Sequence, residues 1–209
     1  MFITSNKIYT NRFVHHVESF IREHGLFKKD TKLMLAVSGG IDSMAMMHVI
    51  YELQNFGYSN DVRILHVNHG TREENVHESR LVADYAKLLG FEFIEEKLSG
   101  LSETSNFEHL AREKRYHALE KNLIAGERLV LAHHLDDSFE WSVLQMFRSS
   151  NLKSALGIPA RREHVIRPFM SVSKAQIKKY IDAFDLPFLE DPTNEQNRYE
   201  RNYIRAQIS

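Results

Sequence analysis

The sequence predicts an α/β fold: a doubly wound parallel sheet with helices on both faces, followed by a small helical C-terminal segment. Three observations predict it. Short, continuously apolar runs alternate with amphipathic stretches through the first 150 residues, the pattern of buried strands joined by crossover helices. The first and fourth runs end in polar turns rich in Gly, Ser, His and Asp, where parallel sheets collect ligands. Finally, 209 residues, 43% of them hydrophobic and 26% charged, are enough for one such core with an appendage.

The elements follow in order. Phe13, Val14, Val17, Phe20 and Ile21 share a face at helical spacing, and Gly25 offers a stop. Leu33 to Val37 is the first strand, leading into Ser38-Gly39-Gly40-Ile41-Asp42-Ser43, and helical periodicity runs from Met44 to Asn55. Val62 to Val67 is the second strand. Val76, Val82, Tyr85, Ala86 and Leu89 mark a helix that Gly90 closes. Phe91 to Glu95 is the third strand, and Phe107, Leu110, Ala111, Tyr116 and Leu119 support the next helix. Arg128 to Ala132 is the fourth strand, followed by His133-His134 and a helix through Met146.

Residues 1–150 thus form the predicted nucleotide-binding unit, and residues 151–209 a mostly helical extension that completes it. The stretch from Asn151 to Arg167 reads as irregular, punctuated by Gly157 and Pro159. Ser173 is placed to cap a helix from Lys174 to Phe184. The ending Arg205-Ala206-Gln207-Ile208-Ser209 has no cap or breaker, so a chain cut from a longer enzyme is expected. Trp141 and the group Met44, Met46 and Met47 read as packing residues.

Composition excludes several chemistries. With no cysteine, these residues supply no disulfide, thiolate metal site, iron–sulfur ligand or thiol nucleophile. No apolar run approaches the length of a membrane span, and Met1 is not followed by a charged-then-apolar leader; a cytoplasmic setting is expected. The formal net charge of −1 permits a nucleic-acid substrate without arguing for one. Basic residues do cluster locally, at Arg161, Arg162 and Arg167 and again at Arg198, Arg201 and Arg205.

The segment from Ser38 to Ser43 carries the clearest chemistry. Adjacent glycines let backbone N–H groups converge on an anion, and the following helix adds its N-terminal positive end. The Ser38 and Ser43 hydroxyls can hydrogen-bond phosphate oxygens. Asp42 repels phosphate directly but suits Mg²⁺, which would bridge it to the phosphates. The plainer reading is a strand-to-helix turn in which Gly and Ser satisfy geometry and capping. The pattern resembles the SGGxDS loop of ATP pyrophosphatases and differs from the GxxxxGK[ST] loop of kinases and GTPases.

Four further segments narrow the choice: His66-Val67-Asn68-His69 with Arg72; Ala111-Arg112-Glu113-Lys114-Arg115-Tyr116; His133-His134-Leu135-Asp136-Asp137 with Glu140; and Asp191-Pro192-Thr193-Asn194 with Tyr199, Arg201, Asn202, Ile204 and Arg205. In this order they resemble the tRNA(Ile)-lysidine synthetase family, from about Leu33 to Arg205. The chain departs from that family at Thr71, at Ser138, Phe139 and Trp141, and after Arg148, where Ser149-Ser150-Asn151 replaces a glycine-rich turn. These departures bear on substrate positioning and leave the phosphate loop intact.

The resemblance implies an adenine nucleotide alpha hydrolase-like fold, further tRNA-binding domains downstream, and a two-step reaction. ATP adenylates the C2 oxygen of the wobble cytidine in the CAU anticodon of tRNA(Ile), releasing pyrophosphate. The ε-amine of free L-lysine then attacks C2 and displaces AMP. The amine must first lose a proton, its ordinary pKa being about 10.4, so nearby carboxylates are needed to bind and deprotonate it. Asp42 is assigned to Mg²⁺, and Asp136 or Asp137 to Mg²⁺ or lysine handling, with helix capping as the alternative for that pair. Arg112 is assigned to charge on ATP or the adenylate, against a solvated helix face. Ser38, Gly39, Gly40, Ile41, Ser43, His66, Asn68 and His133 are the expected nucleotide contacts. Glu140, Arg148, Asn194, Arg201, Asn202 and Arg205 are expected at the substrate or tRNA side. His133 and His134 also raise zinc, but no third ligand is evident. Oligomeric state is open, a homodimer included. The rival readings are a 2-thiolating ATP pyrophosphatase, which would need cysteine, and a catalytically silent nucleotide-binding module.

Overall fold

The computed structural model describes residues 7–68, 74–98, 107–148 and 156–190. Its elements are α1 (Lys7–Glu23), β1 (Leu33–Ala36), α2 (Ile41–Glu52), β2 (Val62–Asn68), α3 (Glu74–Leu88), β3 (Glu92–Lys97), α4 (Phe107–Asn122), β4 (Arg128–Val130), α5 (Leu135–Arg148), β5 (Arg161–Arg162), β6 (Val165–Ile166) and α6 (Lys174–Phe184). Short 3₁₀ turns at Leu53–Phe56 and Pro168–Ser171 follow α2 and β6. Among the described residues no helix is long and apolar enough to cross a membrane.

The strands form one sheet in the order β3-β2-β1-β4-β6-β5, parallel except for the β5–β6 pair. Alternate strand residues separate its two faces. Leu33, Leu35, Ile64 and Val130 join the larger core with Val17 and Ile21 of α1, Met47 of α2, Val82 of α3 and Ile177 of α6. Met34, Leu65, Leu129 and Leu131 turn the other way and meet Leu119 of α4. The chain therefore winds outward from β1 through β2 to β3, with α2 and α3 on one face. It then crosses by α4 on the other face to β4. That reversal between β1 and β4 is the switch point where a doubly wound sheet opens a crevice.

Most elements lie within a residue or two of expectation, but three differences are informative. The predicted helix to Asn55 gives way at Leu53 to a 3₁₀ turn closed by Gly57 at φ 77°, a left-handed conformation that suits glycine. The stretch taken as irregular contains β5 and β6, which extend the sheet beyond β4; two-residue strands are too short for a periodicity to register. Trp141, expected to pack, is 42% exposed, whereas Met44, Met46 and Met47 are buried.

The 156–190 segment is bound into the core. Its helix α6 starts with a full capping box, in which the Ser173 hydroxyl and Gln176 bond each other's backbone N–H. Ile177, Tyr180 and Ile181 then bury the inner face of α6. Tyr180 stacks on Phe13 with centroids 4.6 Å apart and bonds His48 Nδ1 at 2.8 Å. This packing carries the start of α6 to the mouth of the β1–β4 crevice.

Candidate active site

The crevice is built from three chain turns. At the end of β1, Val37 N donates to Leu65 O, so the backbone leaves the sheet only at Ser38. Gly39 takes φ 95°, a value that disfavours any side chain. The loop is braced internally: Ser38 N donates to Ser43 Oγ at 3.2 Å, and Gly40 N to Ser38 Oγ at 3.3 Å. Ser43 Oγ donates to Gly40 O at 2.9 Å. Gly40 is the N-cap of α2 without a side-chain cap bond. The first N–H groups of α2 thus keep capacity for an outside acceptor. Leu189 N clips the loop from outside by donating to Gly39 O.

Asp42, in the first turn of α2, does not sit alone. Both its oxygens lie 2.7 Å from Lys174 Nζ, and Lys174 is the first residue of α6. The backbone N–H of the same lysine donates to Asp136 Oδ2 at 2.6 Å. Between them stands His134, buried to 3% exposure. Its Nε2 is 3.8 Å from Asp42 and 3.5 Å from Asp137, and its Nδ1 is 3.3 Å from Asp136. Asp42, His134, Asp136, Asp137 and Lys174 therefore form one cluster across the switch point. Sequence reasoning assigned the three aspartates but not Lys174, which lies 132 residues from Asp42 and carries no local signal.

The two-fold reading of Asp136 and Asp137 acquires detail here. Asp137 Oδ2 accepts from His134 N at 3.0 Å, the reciprocal half of a helix cap, while Asp136 binds the start of α6. Both carboxylates hold helix ends and still face the crevice beside His134. Glu140 is buried at 2% exposure one turn further along α5. The departure at Ser138 has a tertiary partner: its Oγ accepts from Ile158 N at 2.9 Å. A β-carbon at Gly157, which has φ 87°, would collide with that hydroxyl.

Mg²⁺ can be tested against this donor set. Among the described residues no group of three His, Asp or Glu converges on a metal position. Mg²⁺ bound with nucleotide needs only one or two carboxylates, the phosphates and waters filling the rest. Asp42 already binds a cation with both oxygens, the Lys174 ammonium, so its position suits positive charge. The residues fit Mg²⁺ on Asp42, with Asp137 nearby, provided Lys174 gives up part of its contact.

Other expected contacts meet protein groups in the structure. His66 is 1% exposed, with Nδ1 2.9 Å from Val37 O; burial pulls its pKa below the ordinary value. Asn68 donates to Glu95 at 2.9 Å, and that bond leads the causes holding the Glu95 carboxyl below its usual range. Both residues thus face protein partners at the strand end. Arg112 is exposed on α4, its guanidinium 5.0 Å from the Tyr116 ring centroid and 3.4 Å from the Tyr116 hydroxyl. His133 is half-buried. The Arg148 side chain lies outside what is described, as do His69, Arg72, Asn194, Arg201, Asn202 and Arg205.

Comparison with known proteins bears on the family and the fold. The chain is 35% identical over 202 residues to the bifunctional protein TilS/HprT of Listeria monocytogenes, covering 92% of this chain and 31% of that protein. It is 33% identical over 191 residues to a tRNA(Ile)-lysidine synthase of Staphylococcus aureus, covering 86% and 43% respectively. The chain therefore spans less than half the length of these curated relatives. Among solved structures, the U34-tRNA thiolase NcsA from Methanococcus maripaludis superposes with a TM-score of 0.74 at 16% identity, covering 97% of this chain and 72% of that one. An NH₃-dependent NAD synthetase from Campylobacter jejuni gives 0.52 at 12%, covering 88% and 75%; both likenesses concern the fold. A family model described as the PP-loop domain matches residues 9–209. With its phosphate loop at the β1–β4 switch point, the chain belongs to the PP-loop family of ATP-binding domains.

Proposed function

We propose that this chain is the catalytic part of an enzyme that uses ATP to convert the wobble cytidine of tRNA(Ile) to lysidine, releasing AMP and pyrophosphate. The observation that carries the reading is the single cluster made by Asp42 of the phosphate loop with His134, Asp136 and Asp137. It sets carboxylates for an amine beside donors for a triphosphate. Identity of 33% to a tRNA(Ile)-lysidine synthase over most of the chain supports the choice of substrate.

In this reading residues 1–150 bind ATP and residues 151–209 complete the same catalytic unit. The N–H groups of the loop and of the first turn of α2 receive the β- and γ-phosphates. Mg²⁺ held by Asp42, with Asp137 nearby, would supply charge neutralisation for the leaving pyrophosphate. Arg112 offsets negative charge on the α-phosphate and adenylate. Asp136 and Asp137 bind the ε-ammonium of L-lysine and draw off its proton. Glu140, Arg148, Asn194, Arg201, Asn202 and Arg205 serve the tRNA side, and a tRNA acceptor implies the cytoplasm as the working compartment. A thiolation reading, prompted by the NcsA likeness, lacks cysteine within these residues to carry sulfur.

The test is incorporation of labelled lysine into unmodified tRNA(Ile) bearing a CAU anticodon, with and without ATP. ATP-dependent incorporation that disappears when the wobble cytidine is replaced supports the reading. Asp42→Asn should remove pyrophosphate release while leaving the thermal melt in place. ATP binding without any lysine-dependent release, in a chain extended past Ser209, would instead identify a silent nucleotide-binding module.

A further inference from the structure

Arg167 ends the β6 segment, two strands from β1 in the same parallel row. At roughly 4.8 Å per strand, its backbone lies about 10 Å from the exit of the phosphate loop. Its N–H donates to Ala160 O at 2.8 Å, and Pro168 follows at the start of a 3₁₀ turn. The side chain is buried to 7% exposure. One nitrogen, Nη1, donates to Pro159 O at 3.0 Å, while Nε is buried without a partner. Among the described residues no carboxylate pairs with this guanidinium, which is unusual for a buried charge.

Its neighbours deepen the anomaly. Tyr116 of α4 lies alongside as a hydrogen-bonding group, and Arg112 and Arg162 are close enough to oppose the Arg167 charge. Burial, the largest influence, also lowers its pKa. Arg112 shares Tyr116, with its guanidinium over the ring. Two guanidinium groups, those of Arg167 and Arg112, thus share one phenol, with the Arg162 charge also near Arg167. An anion with several acceptor oxygens would satisfy the orphaned N–H and the mutual repulsion together.

We propose that Arg167, with Arg112 and Tyr116, forms a second phosphate-binding site, distinct from the Ser38–Ser43 loop, that takes a phosphate of one of the two substrates. The inference builds on the function proposed above, and the shared chemistry is a phosphate group from either ATP or the polynucleotide backbone. Arg167 is the buried anchor, already held by Pro159 O, and Arg112 is the exposed arm, resting on Tyr116.

The test compares the full chain with Arg167→Met and Arg167→Lys in two separate titrations, one with Mg·ATP and one with a synthetic CAU anticodon stem–loop RNA. Arg167→Met should weaken one probe by roughly tenfold, the scale of a lost charge-assisted contact, while Arg167→Lys recovers part of the loss. Weaker ATP binding assigns an ATP phosphate. Weaker RNA binding, with a salt slope smaller by about one, assigns a backbone phosphate. If folded Arg167→Met binds both probes as the parent does, the site is refuted. Should Arg167→Met fail to fold, Tyr116→Phe decides instead: unchanged binding of both probes overturns the proposal, and a loss confined to one supports it. If the parent chain binds ATP but not the stem–loop RNA, the ATP titration alone judges Arg167.

Discussion

Arg63 and Glu127 form a buried clamp at the end of the sheet away from the crevice, and its removal gives the sharpest stability prediction. Arg63 is the second residue of β2, and Glu127 immediately precedes β4. Arg63 Nε and Nη2 reach the two Glu127 oxygens at 2.8 and 2.7 Å, and Nη2 also donates to Asn122 O at 2.9 Å. Ile124 N adds a third bond to Glu127 at 2.9 Å, and the Glu127 side chain is only 2% exposed. Burial by itself would raise the Glu127 pKa, but the Arg63 hydrogen bonds, the Ile124 N–H bond and the Arg63 charge together outweigh it and hold the pKa below the ordinary value. Arg63→Met leaves that carboxylate in a dry site with one donor, a loss of about 3–5 kcal/mol for breaking a buried pair. Arg63→Met with Glu127→Met removes both charges. It should cost only about 2 kcal/mol, one for each bond lost by Asn122 O and Ile124 N. Urea unfolding at pH 7 measures both, and ATP affinity should be unchanged because the clamp is remote from Ser38–Ser43. A single variant that costs less than about 1 kcal/mol, or a double variant worse than the single, would refute the reasoning.

Three further outcomes follow from named contacts. His48 is buried against Tyr180, and burial brings its pKa down to about 4. The unfolded chain, with an ordinary His pKa near 6.5, therefore takes up a proton that the fold refuses. Stability should be full above pH 6.5 and fall by up to about 3 kcal/mol as pH drops toward 4. The half-buried Glu52, whose pKa is raised by burial, works in the opposite sense. His48→Gln should flatten the profile, and an unaltered slope in pH-dependent urea melts would exclude His48 as its source. Lys174→Met removes the ammonium from Asp42; since exposed pairs contribute about 0.2–1 kcal/mol, the Mg²⁺ concentration for half-maximal pyrophosphate release should fall by up to about fivefold. A higher Mg²⁺ requirement would show that Lys174 assists rather than competes. Gly39→Ala meets only ordinary contacts, the nearest Val82 Cγ2 at 3.6 Å, yet must hold φ 95°. Strain of about 1–3 kcal/mol should lower the melting temperature and weaken ATP binding, and normal values of both would mean that the loop tolerates another conformation.

The departures at Ser138 and Trp141 show two different relations between sequence and site. Ser138 faces Gly157, and the pair makes sense only once the loop after α5 is brought against that helix. Trp141 remains substantially exposed on α5, as do Phe139, Met146 and Phe147, on a helix whose last side chain and following residues lie outside the described structure. Nothing described explains why an indole stands there.

What the sequence determined by itself was whatever a short window encodes. Apolar runs of strand length, helical periodicity, the Gly-Gly turn and the Ser173–Gln176 capping box each act over a few residues, so local sterics and hydrogen bonding specify them. The same holds for the phosphate loop, whose atoms bond mainly to one another between Ser38 and Ser43. Tertiary structure alone decided which distant groups meet: Lys174 on Asp42, His134 among three aspartates, Arg167 beside Tyr116, and Arg63 on Glu127. Those meetings depend on strand order, on the switch from one sheet face to the other, and on where α6 docks. All three are outcomes of burying both faces of the sheet together, and no single segment carries that information.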